Sequence, residues 1–217
     1  MGKIIKNYVE TCTSCQFNKK GAVVDAPLKS IHVGKPFEKL GIDIVGPLPY
    51  SSGKRYVIVG TDYFTRYVET RALTHKTATS TAKFLIEDIL ARHGAPKTIL
   101  SDQGTNFTSN LVQKLSEFMT TRWQFSTTYH PATNGLTERI NRTLCQMLIH
   151  YSQNNKSKWS RVLPMITFAY NTSTNASTKF TPFYLLYGRH PILPIDVELK
   201  TPDETMNLDE YTSFVIN

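Results

Sequence analysis

Residues 38–73, EKLGIDIVGPLPYSSGKRYVIVGTDYFTRYVETRAL, decide the fold class. Residues 40–47 form an apolar run that stops at Gly46-Pro47, the pattern of a buried strand. Residues 55–61 are β-branched and aromatic, and residues 66–73 alternate. Three such runs with short polar breaks predict an antiparallel meander. Beyond it the hydrophobic period lengthens. Residues 78–93 predict a helix with Ala82, Leu85, Ile86, Ile89 and Leu90 on one face and Gly94 as its stop. Residues 97–100 and 123–126 predict short strands, and 109–120, 134–153 and 158–172 predict helices. The order β-β-β-α-β-α-β-α-α predicts an α/β domain, a mixed five-stranded sheet flanked by helices.

The rest of the chain bounds the function. A length of 217 residues suggests one domain with trimmings. Hydrophobic residues at 40% and charged residues at 19% exclude a disordered chain. No apolar stretch is long enough to span a membrane, and the N-terminus lacks an apolar signal core. Three cysteines, an odd number, argue against a disulfide scaffold. The expectation is a soluble, intracellular, basic protein. Its formal net charge of +8 is unevenly spread. Residues 196–217 hold six acids and one base, which leaves 24 bases against 11 acids in residues 1–195. A body that basic is drawn to a polyanion, most simply nucleic acid; the same charge could also serve solubility alone.

In a basic protein, carboxylates at strand ends are the unusual feature. Asp43 interrupts the apolar run Gly41-Ile42-Asp43-Ile44-Val45, where a charge is costly unless paired or metal-bound. Asp102 sits where a strand gives way to a turn, on the rim where α/β sheets place ligands. Glu138 lies on the long helix, roughly opposite Leu136, Ile140, Leu144, Met147, Leu148 and Tyr151, and shares a polar face with Asn134, Asn141, Arg142 and Cys145. Alone, Glu138 reads as a solvated residue paired with Arg142. Together, three acids from separate segments can surround a pair of hard divalent cations, which take oxygen ligands and leave positions for water and phosphate.

Those residues lie in motifs that resemble the catalytic core of retroviral and LTR-retrotransposon integrases, most closely the gypsy type. The motifs are GIDIVGPLP (41–49), TDYFTRYVE (61–69), LSDQGTNF (100–107), YHPATNGLTERINRTL (129–144) and TPFYLLYGRHP (181–191). Between Asp102 and Glu138 lie 35 residues, the D,D-35-E spacing of that family. The resemblance implies a ribonuclease H-like fold with Asp43, Asp102 and Glu138 as catalytic metal ligands for Mg²⁺ or Mn²⁺, two ions in all. It implies 3′-end processing and strand transfer of element DNA into target DNA, by in-line phosphodiester chemistry. It further implies DNA as partner with weak sequence specificity, a homo-oligomer when active, and work in the nucleus. The domain reading is 1–20 as a truncated remnant of a His2Cys2 zinc domain, 21–37 as linker, 38–195 as catalytic core, and 196–217 as an acidic segment leading toward a missing C-terminal domain.

Cys12 and Cys15 supply half of a tetrahedral Zn²⁺ site, so zinc is expected only with a complete N-terminal domain. Asp62 also follows a strand and is read as structural, capping a turn near Arg66. The His130–Gly135 stretch is a loop in which Asn134 caps the helix, grips DNA, or both. Asn134, Arg139, Asn141, Arg142, Lys156 and Lys158 are candidate DNA contacts, and Arg161 adds to the same basic stretch. Trp123, Trp159 and Phe168 are read as core rather than as base-stacking platforms. The competing reading of the chain is a catalytically silent, decayed or domesticated DNA-binding or interaction module derived from an integrase.

Overall fold

The structure, a computed structural model, describes Thr11 and residues 33–126, 135–152 and 158–193. Contacts divide the chain into a unit Met1–Ile31 and a unit His32–Asn217, and the sheet with its helices belongs to the second. The strands are β1 (Lys39–Val45), β2 (Tyr56–Asp62), β3 (Val68–Leu73), β4 (Thr98–Ser101) and β5 (Arg122–Phe125). They form one sheet in the order β3-β2-β1-β4-β5. The first three pair antiparallel, while β1–β4 and β4–β5 pair parallel. This is the expected mixed five-stranded sheet, and the meander accounts for its antiparallel half.

Helix α1 starts at Ala78–Phe84, widens into a π-helical segment Leu85–Leu90 and ends at Ala91–His93. It begins where it does because Thr77 and Ser80 cap each other's backbone N–H groups reciprocally. The other helices are α2 (Asn110–Phe118), α3 (Gly135–Tyr151), α4 (Trp159–Thr172) and α5 (Pro182–Tyr187). Helix α5 had no counterpart among the elements predicted from periodicity. Its signals are local: Thr181 Oγ1 accepts the Tyr184 N–H, Pro182 opens the helix, and Gly188 closes it with a left-handed φ of 67°.

Apolar residues cover both faces of the sheet. Leu40, Ile42, Ile58 and Ile99 pack with Phe84, Leu85 and Ile89 of α1 and with Phe107. Val57, Val59 and Val68 pack with Ile140, Leu144 and Leu148 of α3 and with Trp159, Leu163 and Ile166 of α4. Residues of β1 therefore alternate: Leu40 and Ile42 face α1, and Gly41 and Asp43 lie on the side of α3.

Three face assignments from the sequence are corrected. Ile86 is 45% exposed, and Phe84 is buried in its place. Two non-local features turn the helix that way. Gly60 has no side chain where the Phe84 ring lies, and Asp88 is drawn inward by Arg71 of β3. Tyr151 is exposed because it lies beyond Leu148, the last buried residue of α3. Phe168 is half-exposed, about 100° around α4 from buried Thr167. Trp159 is buried as expected, and its Nε1 donates to the Pro49 carbonyl at 2.6 Å, which ties the loop after β1 to α4.

Candidate functional site

The parallel pairing of β1 and β4 sets two acids side by side. Gly41 is level with Leu100, and two residues further along each chain stand Asp43 and Asp102. The chain after β4 turns at once, because the Gly104 N–H donates to Asp102 Oδ1 at 2.9 Å. A side chain on Gly104 would crowd both Asp102 Oδ1 and Asn106 Oδ1. Behind the turn, Trp123 Nε1 donates to Ser101 Oγ and Ser101 Oγ donates to the Asp102 carbonyl, each at 2.8 Å. These contacts fix the backbone while the Asp102 side chain stays exposed.

The third acid comes from α3. Thr137, Ile140, Asn141, Leu144 and Leu148 are its buried residues, and Glu138 is exposed in the first turn. Among the described residues, Glu138 and Arg142 form no ion pair. Asp43 is partly buried and engaged at both oxygens. The Ile44 N–H donates to Oδ1 and Asn141 Nδ2 donates to Oδ2, each at 2.8 Å. Burial pushes the Asp43 carboxyl above its ordinary pKa of 3.8, and the negative charges of Asp102 and Glu138 push it further in the same direction. Asp102 and Glu138 thus both bear on Asp43, at the rim formed by β1, β4 and the start of α3. In the conformation described the three do not converge on one point: among the described residues, no three His, Cys, Asp or Glu side chains stand close enough to hold one ion.

The donor set nevertheless fits hard cations. It is all oxygen, it is doubly like-charged around Asp43, and it includes Asn141 Oδ1, buried without a hydrogen-bond partner. Asn141 also requires a correction. The sequence placed it among the DNA contacts on the Glu138 face, but it is 7% exposed and bonded to Asp43. It stands about 60° from Glu138 around the helix, on the border between the buried and open faces. Arg139, Arg142 and Lys158 are exposed, on or beside α3 and α4. Asn134, Lys156, Cys12, Cys15 and the His130 loop lie outside the described residues.

Asp62 is held apart from this rim. It is fully buried and accepts the Phe37 N–H at Oδ1 and the Thr65 N–H and Oγ1–H at Oδ2, at 2.6–2.9 Å. Those bonds close the 62–66 turn, in which Arg66 has a φ of 68°.

Comparison with known proteins places this arrangement. Residues 34–131 match the integrase core domain family. Over 97% of its length the chain is 28% identical to the retrovirus-related Pol polyprotein from transposon 412 of Drosophila melanogaster. It is 33% identical, again over 97%, to the Pro-Pol polyprotein of simian foamy virus type 3 (strain LK3). The transposon Tf2-3 polyprotein of Schizosaccharomyces pombe is 30% identical over 99% of the chain. The chain spans only 17%, 19% and 16% of those three polyproteins. The fold matches a chain in the cryoEM structure of the simian T-cell lymphotropic virus intasome in complex with PP2A regulatory subunit B56 gamma. The TM-score is 0.68 at 21% identity, over 96% of this chain and 71% of that one. The sheet order and the flanking helices are those of the ribonuclease H-like fold, and residues 34–131 match the integrase core domain, in a chain similar along nearly its whole length to parts of retrotransposon and retroviral Pol polyproteins.

Proposed function

We propose that this chain is a DNA integrase, a polynucleotidyl transferase that trims DNA 3′ ends and joins them to target DNA. One arrangement carries the reading: the parallel β1–β4 register sets Asp43 beside Asp102, and Asn141, three residues on from Glu138 in α3, hydrogen-bonds Asp43, all in a basic body. Asp43, Asp102 and Glu138 would hold Mg²⁺ or Mn²⁺, two ions in all. Bound there, such ions would activate the attacking oxygen and stabilise the leaving one. The chain's own groups supply the frame. Asn141 and the Ile44 N–H orient the Asp43 carboxylate, and Gly104 and Ser101 fix the Asp102 turn. Arg139, Arg142 and Lys158 would carry DNA phosphates, a sequence-independent contact consistent with weak target specificity. Action on chromosomal DNA would place the protein in the nucleus, and gripping two DNA ends at once would call for more than one copy. Zn²⁺ at Cys12 and Cys15 would need further ligands.

The competing reading is a catalytically silent DNA-binding or interaction module. End joining with a labelled DNA end, in Mg²⁺ or Mn²⁺, separates the two. Metal-dependent joined products are expected; tight DNA binding with no such products favours the module.

Two further results are expected. Arg142→Ala should weaken DNA binding and flatten its dependence on salt by about one counterion, with a smaller loss of rate at saturating DNA. A slope equal to the parent's removes Arg142 from the interface. Because burial and its acidic neighbours raise the Asp43 pKa above 3.8, Mn²⁺ binding should release protons, more of them as pH falls toward that value. Calorimetry in two buffers of different ionisation enthalpy measures the release. It should vanish in Asp43→Asn, and equal release in both proteins would contradict the assignment.

A further inference from the structure

Two contacts join β1 to the first turns of α3. Gly41 and Asp43 are alternate residues on one face of the strand; Thr137 and Asn141 are one turn apart on the helix. A two-residue step along a strand and one turn of helix are both about 5–7 Å, so the two pairs can meet in register. Asn141 meets Asp43 through a hydrogen bond. Thr137 meets Gly41 through the absence of a side chain. A Cβ on Gly41 would stand 2.5 Å from Thr137 Oγ1 and 2.7 Å from Cε2 of the Tyr63 ring, closer than non-bonded atoms approach. Thr137 is 0% exposed and Tyr63 6%, so neither has open space to retreat into. A glycine inside a strand weakens the strand, and close approach of another element is what it allows in return.

We infer that Gly41 is a positioning residue. The missing side chain sets how near the first turn of α3 comes to β1, and so where Glu138, the next residue after Thr137, stands relative to Asp43 and Asp102. The inference rests on reading those three acids as the cation site. Core packing of Ile140, Leu144 and Leu148 and the Asn141–Asp43 bond hold the helix from its second turn onward; the Thr137 seat fixes its first turn against β1. Gly60 offers a contrast on the opposite face of the sheet, where a Cβ would meet Phe84 and Ile89 at 3.2–3.3 Å and would disturb only core packing.

The test compares the parent chain with Gly41→Ala and with Gly41→Ala/Thr137→Ala, which removes the nearer obstacle. Three quantities are read: Mn²⁺ affinity by calorimetry, end-joining kinetics, and hydrogen exchange of the 137–141 amides. In Gly41→Ala, Mn²⁺ affinity should fall about tenfold or more. Its kcat should fall about 100-fold with KM for DNA unchanged, and exchange at 137–141 should rise. The double variant should recover part of each, because the Tyr63 ring still crowds the new Cβ once Thr137 is cut back. A purely structural role predicts a lower melting temperature with unchanged Mn²⁺ affinity in the folded protein and no recovery, and that pattern overturns the inference. Should Gly41→Ala not fold, Thr137→Leu crowds the same seat from the helix side; parental Mn²⁺ affinity and parental exchange there overturn it equally. Exchange needs no cation. If the parent chain neither binds Mn²⁺ nor joins DNA, the carboxylate reading fails, while unchanged exchange in the variants sinks the seat itself.

Discussion

Glu138→Gln should lower end joining by at least about 10²–10³-fold while DNA affinity holds or rises slightly. The substitution keeps side-chain size and removes one negative charge from the rim. If Glu138 holds a cation, the loss falls on transition-state stabilisation, where a single well-placed electrostatic contact is worth that much. Binding rests on Lys and Arg contacts to phosphate, which the change leaves in place. Glu138 is exposed and unpaired with Arg142, so folding stability should move by only a few tenths of a kcal/mol. Joining at the parental rate, in a preparation free of contaminating nuclease, would remove Glu138 from the site.

Asp62→Ala should do the reverse, costing on the order of 3–5 kcal/mol of stability. Three buried donors, the Phe37 and Thr65 N–H groups and the Thr65 hydroxyl, lose their acceptor, and each orphan is worth about 1–3 kcal/mol. The 62–66 turn that holds Arg66 at positive φ loses its closure as well. Urea unfolding measures the change, and a loss below about 1 kcal/mol would mean the turn is held by something else. The pH dependence has a definite sign. Burial outweighs the hydrogen bonds and leaves the Asp62 carboxyl above its ordinary pKa of 3.8. A raised folded pKa favours the fold most when the group is neutral. That contribution is fully present below pH 3.8 and is lost as pH rises through the folded value. The slope of stability against pH in that window should shrink in Asp62→Asn.

The two acids differ in a way the sequence partly carried. Asp43 and Asp102 were legible because strand periodicity is local: an acid in an apolar run and an acid at a strand end need no tertiary knowledge to stand out. Asp62 was legible as a turn cap from the strand before it and Arg66 after it. Asn141 was not, because its angle from Glu138 leaves it on the border of two helix faces, and only the register of α3 on β1 decides which way it turns. The matching pairs Gly41/Asp43 and Thr137/Asn141 carried that signal, but reading it requires knowing that β1 and α3 pack. The face of α1 failed for the same reason. Phe84 and not Ile86 is buried because of Gly60 on β2 and the ion pair of Asp88 with Arg71 on β3. Helix α5 was readable from Thr181, Pro182 and Gly188, and its apolar run PFYLLY obscured the period.

The central claim is that Asp43, Asp102 and Glu138 act as one cation-dependent site on DNA. Its most direct measurement is the reverse reaction, resolution of a branched DNA in which a 3′ end is already joined to its target. By microscopic reversibility the same groups serve both directions, and a pre-joined substrate spares the protein the task of bringing two DNAs together. The parent chain should resolve the branch in Mn²⁺ or Mg²⁺ and stop when EDTA is added. Asp43→Asn, Asp102→Asn and Glu138→Gln should each be inactive, while binding the branch as tightly as the parent. Resolution that persists in any of the three variants, or in EDTA, would contradict the account.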